Sequence, residues 1–198
     1  MKLIVATNNA HKVKEFTRIL EPHGYTVLSL RDAGIVCEAE ENADTFGGNA
    51  YIKAKAVFDL SGLPTVADDS GLSVDALGGA PGVFSARYGG PGLDDIGRYE
   101  KVLTELKDVP DEQRTARFEC AISLVLSDDE VYSFHGTCEG KIGTGPRGEN
   151  GFGYDPIFMV GEKSMAECTP EEKDAISHRG MALKKMDAFL KQRKGETE

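Results

Sequence analysis

The stretch Val66-Ala67-Asp68-Asp69-Ser70-Gly71-Leu72 decides how the rest of the chain is read. Leu63, Val66 and Ala67 lead into it, and Leu72 and Val74 lead out with alternating spacing. A polar cluster therefore lies between two strand-like apolar runs. The pattern predicts a buried strand that ends on two adjacent carboxylates and turns sharply at Gly71. Neighbouring aspartates repel each other in a partly dry site, and a cation or a shared proton relieves that repulsion. A solvated turn uses the same residues, since Asp, Ser and Gly are all good turn formers.

Upstream, Lys2 to Ala6 is an apolar strand, followed by the polar run Thr7-Asn8-Asn9-Ala10-His11-Lys12. A helix with Val13, Phe16, Ile19 and Leu20 on one face comes next and stops near Pro22-His23-Gly24. Free N–H groups at such a helix start can hold a phosphate. Lys12 in the first turn opposes the helix dipole unless an anion lies nearby. The plainer alternative is that Asn8 or Asn9 caps the helix and Lys12 is solvated. With a second strand from Tyr25 to Leu30, the chain begins as a β-α-β unit. An acidic run follows, Glu38, Glu40, Glu41 and Asp44, and leads to a helix capped by Thr45 or Asn49. Its apolar side is expected to hold Ile52, Ala56, Val57 and Leu60, with Lys53 at the edge of that stripe and able to lean toward a strand end.

Downstream, the Gly- and Pro-rich span Gly78 to Gly92 is a working loop or hinge, with Arg87 a candidate phosphate ligand. Asp94 or Asp95 caps a helix with Ile96, Tyr99, Leu103 and Leu106 on one face. A hairpin follows, out through Phe118, Cys120, Ile122 and Leu124 and back through Val131, Tyr132 and Phe134. Phe152, flanked by Gly151 and Gly153, either stacks on a planar ligand or plugs a small cluster. Thr169-Pro170-Glu171-Glu172 is a capping box with proline at the first helical position. Ser177-His178-Arg179 precedes a terminal helix whose apolar face is Leu183, Met186, Phe189 and Leu190.

The 198 residues support one substantial domain with a real core. A net charge of −10 argues against a nucleic-acid polymer as partner, because backbone phosphates would be repelled. A nucleotide is still admissible if local lysines or a metal neutralise it. No apolar run approaches the roughly 20 residues of a membrane span, so no membrane partner is expected. Cys37, Cys120, Cys138 and Cys168 show no Cys-x-x-Cys spacing, which fits a reducing, cytoplasmic location. Cations, carboxylates, an exposed aromatic and a His-Arg pair recur at strand ends and helix starts, where open α/β sheets bind ligands. Together they describe a metal-dependent enzyme acting on a nucleoside triphosphate, with a non-catalytic nucleotide-binding regulator as the alternative.

Six blocks in order carry a resemblance. They are Thr7 to Lys12; Thr45-Phe46 with Asn49-Ala50 and Lys53-Ala54; Ala67 to Leu72; Gly79 to Tyr88; Gly151-Phe152-Gly153-Tyr154-Asp155-Pro156; and Ser177-His178-Arg179. This pattern resembles the inosine triphosphate pyrophosphatase family, the bacterial dITP/XTP pyrophosphatases above all. The resemblance implies one α/β domain over 1–198, a homodimer in solution, with a long mixed β-sheet flanked by helices and two lobes around an active-site cleft. It implies Mg²⁺-dependent hydrolysis of ITP, dITP and XTP to the monophosphate and pyrophosphate. Carried across, Thr7, Asn8, Asn9, Ala10, His11 and Lys12 would hold the phosphates, as would Lys53, counted as catalytic. Asp69 would be general base and metal ligand, with Glu40 as second ligand and Asp68 close by. Ser70 would touch the substrate. Phe152, Gly153, Tyr154 and Asp155 would bind it, with Phe152 stacked on the base, and Lys173, His178 and Arg179 would read the purine edge. Many family members have Glu at the place of Gly48, so in this chain Glu40 or Glu41 must supply that carboxylate.

Overall fold

A computed structural model describes residues 1–195, apart from the side chain of His11. Seven strands form one mixed sheet: β1 (Lys2–Val5), β2 (Thr26–Ser29), β3 (Thr65–Val74), β4 (Thr115–Val125), β5 (Val131–Ile142), β6 (Phe158–Val160) and β7 (Lys163–Ser164). Their order is β2-β1-β3-β4-β5-β6-β7. β1 runs parallel to β2 and β3, whereas β5–β6 and β6–β7 are antiparallel. Among the described residues, five α-helices accompany them: α1 (Ala10–Leu20), α2 (Phe46–Ser61), α3 (Asp95–Glu105), α4 (Pro170–Ile176) and α5 (His178–Gly195).

The opening stretch departs from its expected form. β3 does not turn at Gly71 but continues as one strand of ten residues, with Asp68 to Gly71 in its middle. As an interior strand, β3 has β1 on one side and β4 on the other. Sheet pairing thus holds the polar residues extended, and the turn propensity of Asp-Ser-Gly is overridden.

The contacts divide the chain into two compact units. The first comprises Met1–Asp69, Cys120–Gly136 and the chain from Met181 on. Alternation along β1 assigns its two faces: Leu3 and Val5 join Phe16 and Leu20 of α1 and Leu183, Met186 and Leu190 of α5. Ile4 and Ala6 turn the other way, onto Ala54 and Val57 of α2. The buried stripe of α2 is thus Ala50, Ala54 and Val57, and Leu60, expected inside, is 64% exposed.

The second unit comprises Ser70–Glu119 and Thr137–Gly180. Leu72 and Val74 of β3, Ala116 and Phe118 of β4, and Ile142 of β5 pack here with Val102 of α3 and with Tyr154, Ile157 and Phe158. Ile96, expected on the inner face of α3, is half exposed. The alternate residues of β4 carry charge: Arg117 reaches Asp75 and Glu139. Buried Arg114 closes the unit by donating to Leu106 O (3.0 Å), Ile142 O (3.0 Å) and Gly143 O (2.6 Å). Arg114→Leu would remove a donor from three buried carbonyls, of which Leu106 O keeps the Val109 N–H. A loss of about 3 kcal/mol is expected, read as a melting temperature about 6–12 °C lower.

Candidate active site

The first unit holds the carboxylates and two lysines. Asn9 caps α1, accepting from Lys12 N at 3.4 Å, while its own N–H donates to Thr7 Oγ1. The capping alternative for Asn9 therefore holds, but Lys12 is not simply solvated. Its Nζ lies 2.9 Å from Asp68 Oδ2, whose side chain is almost wholly buried. The anion that a first-turn lysine needs is supplied by the chain itself. Asn8 is exposed, Ala10 opens α1, and the His11 side chain lies outside the described residues.

Lys53, one position off the expected apolar stripe of α2, reaches β3 as its edge placement predicts. Its Nζ stands 3.2 Å from Asp69 Oδ1 and 3.2 Å from Glu41 Oε2. Burial disfavours the charged ammonium, but Asp69, Glu41 and Asp68 outweigh it and hold Lys53 protonated beyond the usual lysine range. Burial also raises the Asp69 carboxyl above its ordinary value. Lys53 pulls it back and Glu41 pushes it further up, so the ion pair only partly offsets desolvation.

The acidic run contributes Glu41 to this cluster, not Glu40, which is exposed. The reason is local. Thr45 caps α2 by accepting from Gly48 N, and buried Asn49 accepts from Ala43 N at 3.0 Å. The same Asn49 amide donates to Asp69 Oδ2 at 3.3 Å. A side chain at Gly48 would put its Cβ 2.6 Å from the Ala43 Cβ. Glycine thus lets the acidic run fold back over the start of α2, and two residues before Ala43 stands Glu41. Asn49 was read from sequence only as an alternative cap. Its burial, which only the structure shows, marks its second task.

The metal implied by the resemblance can be tested against these donors. Asp69 and Glu41 offer hard carboxylate oxygens around one point of positive charge, now the Lys53 ammonium. Among the described residues no three of His, Cys, Asp and Glu converge as a ready-made metal cage. The two carboxylates suit Mg²⁺, which takes one or two of them and completes its shell with water and phosphate oxygens. The donor set fits.

The second unit holds the candidate base readers. Ser177 caps α5, accepting from Gly180 N at 3.0 Å, and so fixes the two residues between. The His178 ring stacks on Phe118 with centroids 4.9 Å apart and planes at 17°. Arg179, 7% exposed, donates from Nη2 to Ser70 Oγ at 3.1 Å. Ser70 is the residue bonded to Asp69, so the expected substrate contact carries an arginine.

Phe152 is 52% exposed, with an exposed aromatic face on a built loop. Gly151 at φ +79° takes a left-handed turn, and a Cβ there would meet Asp155 Oδ2 at 2.1 Å. Buried Asp155 accepts from Phe152 N (2.9 Å) and Lys173 Nζ (2.5 Å), and Lys173 Nζ lies 4.9 Å from the Phe152 ring centre. Gly153 N donates to Asp95, and the Tyr154 hydroxyl to Ser85 O. Arg87, a candidate phosphate ligand by sequence, is placed at the end of a 3-10 helix with its guanidinium over Phe84, 5.0 Å from the ring centre.

Known proteins can be set beside this geometry. The model of the Ham1 family matches residues 3–189. The dITP/XTP pyrophosphatase of Bacillus subtilis is 53% identical over 189 residues, covering 94% of this chain and 96% of that protein. The protein of the same name from Shigella flexneri is 49% identical, over 92% of this chain and 94% of that one. Among solved structures, a HAM1 protein from Coxiella burnetii superposes with a TM-score of 0.92 at 41% identity, covering 97% and 99% of the two chains. The Staphylococcus aureus Ham1 protein gives 0.91 at 39%, covering 98% and 100%. The chain belongs to the Ham1 family.

Proposed function

We propose that this protein hydrolyses the non-standard purine nucleotides ITP, dITP and XTP to the monophosphate and pyrophosphate. The observation that carries the reading is Lys53 set 3.2 Å from both Glu41 and Asp69, with Lys12 on Asp68 next to it. Two lysines and three carboxylates held together suit a polyanion that arrives with a cation. The relatives named above, called dITP/XTP pyrophosphatases, supply the substrate class.

In the proposed reaction, Asp69 takes a proton from the attacking water, whose oxygen bonds to the α-phosphorus as the bond to the bridging oxygen of pyrophosphate breaks. Lys12, Lys53 and the start of α1 hold the phosphates and offset the charge that builds on the leaving group. Mg²⁺, when bound by Asp69 and Glu41, would neutralise phosphate charge and align the triphosphate. Glu41 takes the role expected for Glu40, because it is the carboxylate beside Lys53. Phe152 is assigned to stack on the purine. Arg179, a donor only, donates to an oxygen at position 6 and rejects the amino group of adenine. The active form is read as a homodimer of a single domain over 1–198, in the cytoplasm.

The test is a substrate panel with Mg²⁺. ITP, dITP and XTP should turn over about 100-fold or more faster than ATP, the discrimination that a buried donor gives. Equal rates on ATP would refute the assignment.

A further inference from the structure

We propose that Asp95, which lies outside every block of the family resemblance, is a positioning residue for the purine base, acting through the Gly153 amide on the Phe152 ring. This rests on Phe152 being the base platform. The loop cannot hold that ring by packing, since the ring is half exposed and sits between Gly151 at φ +79° and Gly153 at φ +61°. Beside Lys173 Nζ, 4.9 Å from the ring centre, its attitude is set by the two peptide groups that flank it. Phe152 N–H donates to Asp155 Oδ2 at 2.9 Å and Gly153 N–H to Asp95 Oδ2 at 2.9 Å. Consecutive amides are therefore each fixed by a carboxylate, the stronger kind of hydrogen bond.

The two carboxylates differ in kind. Asp155 is buried and belongs to the loop itself, and Lys173 also binds it. Asp95 comes from the first turn of α3, 58 residues away in sequence. α3 does not need it as a cap, because Asp94 fills that place by accepting from Gly97 N at 2.8 Å. Its other oxygen only faces Arg98 Nη1 at 3.5 Å. Its side chain is about half exposed, so the tie can be cut without opening the core. Asp95 thus holds the loop from α3 at the residue next to the aromatic ring.

The experiment compares Asp95→Ala and Asp95→Asn with the wild type in two measurements. The first is exchange of the Gly153 amide by ¹⁵N NMR without nucleotide, and the second is steady-state kinetics on ITP. Asp95→Ala should speed exchange about tenfold, as a lost bond allows local opening. It should raise KM for ITP about 3–10-fold with kcat within about twofold, since the ring is used in binding. Asp95→Asn keeps an acceptor oxygen and should restore both. An unchanged Gly153 exchange rate in Asp95→Ala overturns the proposal, as does a fall in kcat at constant KM. A purely structural role would lower the melting temperature and leave KM unmoved. Asp95→Ser, too short to reach Gly153, takes the place of Asp95→Ala if that variant does not fold. A wild type that fails to turn over ITP would end this inference together with its parent reading, and shows itself before any variant is made.

Discussion

Asp69→Asn is expected to lower kcat on ITP about 1000-fold, the range that a lost general base covers, while ITP still binds within a few-fold of wild type. The amide has the same size and keeps one acceptor oxygen, enough for Lys53, while its NH2 faces the Asn49 donor and loses that bond. What it loses is the ability to take a proton. Any loss of stability should be small, because burial is the main force on this carboxyl and acts against its charged form, which offsets the lost Asn49 bond. A neutral side chain escapes that cost, and Lys53 retains Glu41. Calorimetric ITP binding, turnover and a melting curve on one preparation separate these effects. Activity within about tenfold of wild type would remove Asp69 from the role of base.

Lys53→Met is expected to cost about 100-fold in kcat/KM, on the scale of removing one partner from a largely buried charge pair. It leaves Glu41 and Asp69 facing each other without the ammonium that both touch. The pH dependence gives the sharper readout. Lys53 lowers the Asp69 pKa and Glu41 raises it, so losing the lysine moves the carboxyl further up. The base works only when ionised, so the acidic limb of the rate profile should shift to higher pH. The Lys53 pKa is itself raised in the fold. Its contribution to stability is thus full at neutral pH and is lost only as pH climbs through the folded value. An acidic limb at the same pH in Lys53→Met and wild type would contradict the pairing.

Several placements are legible in the sequence, and each has a physical reason. Lys53 falls beside an apolar stripe, so its long stem could lie along the core edge with the ammonium at β3. Phe152 between two glycines has no neighbours to bury it, and it is half exposed. The capping box at Thr169 is local, and both of its hydrogen bonds are present. What escaped depends on distant partners. Gly71 sits in a stretch with strong turn propensity, and only the neighbours β1 and β4 make that stretch a strand. Ile52 and Leu60 satisfy a helical stripe, but the sheet meets α2 at Ala50, Ala54 and Val57. Glu40 and Glu41 are equivalent by composition, and the Ala43–Asn49 bond selects between them. Asp95 reaches a loop 58 residues on, which no local pattern encodes.

The central claim is that water attacks the α-phosphorus of the triphosphate. Hydrolysis of ITP in ¹⁸O-labelled water, with mass spectrometry of the products, tests it most directly. The account predicts one labelled oxygen in the inosine monophosphate and unlabelled pyrophosphate. Label in pyrophosphate or in orthophosphate would place the attack at another phosphorus and contradict it.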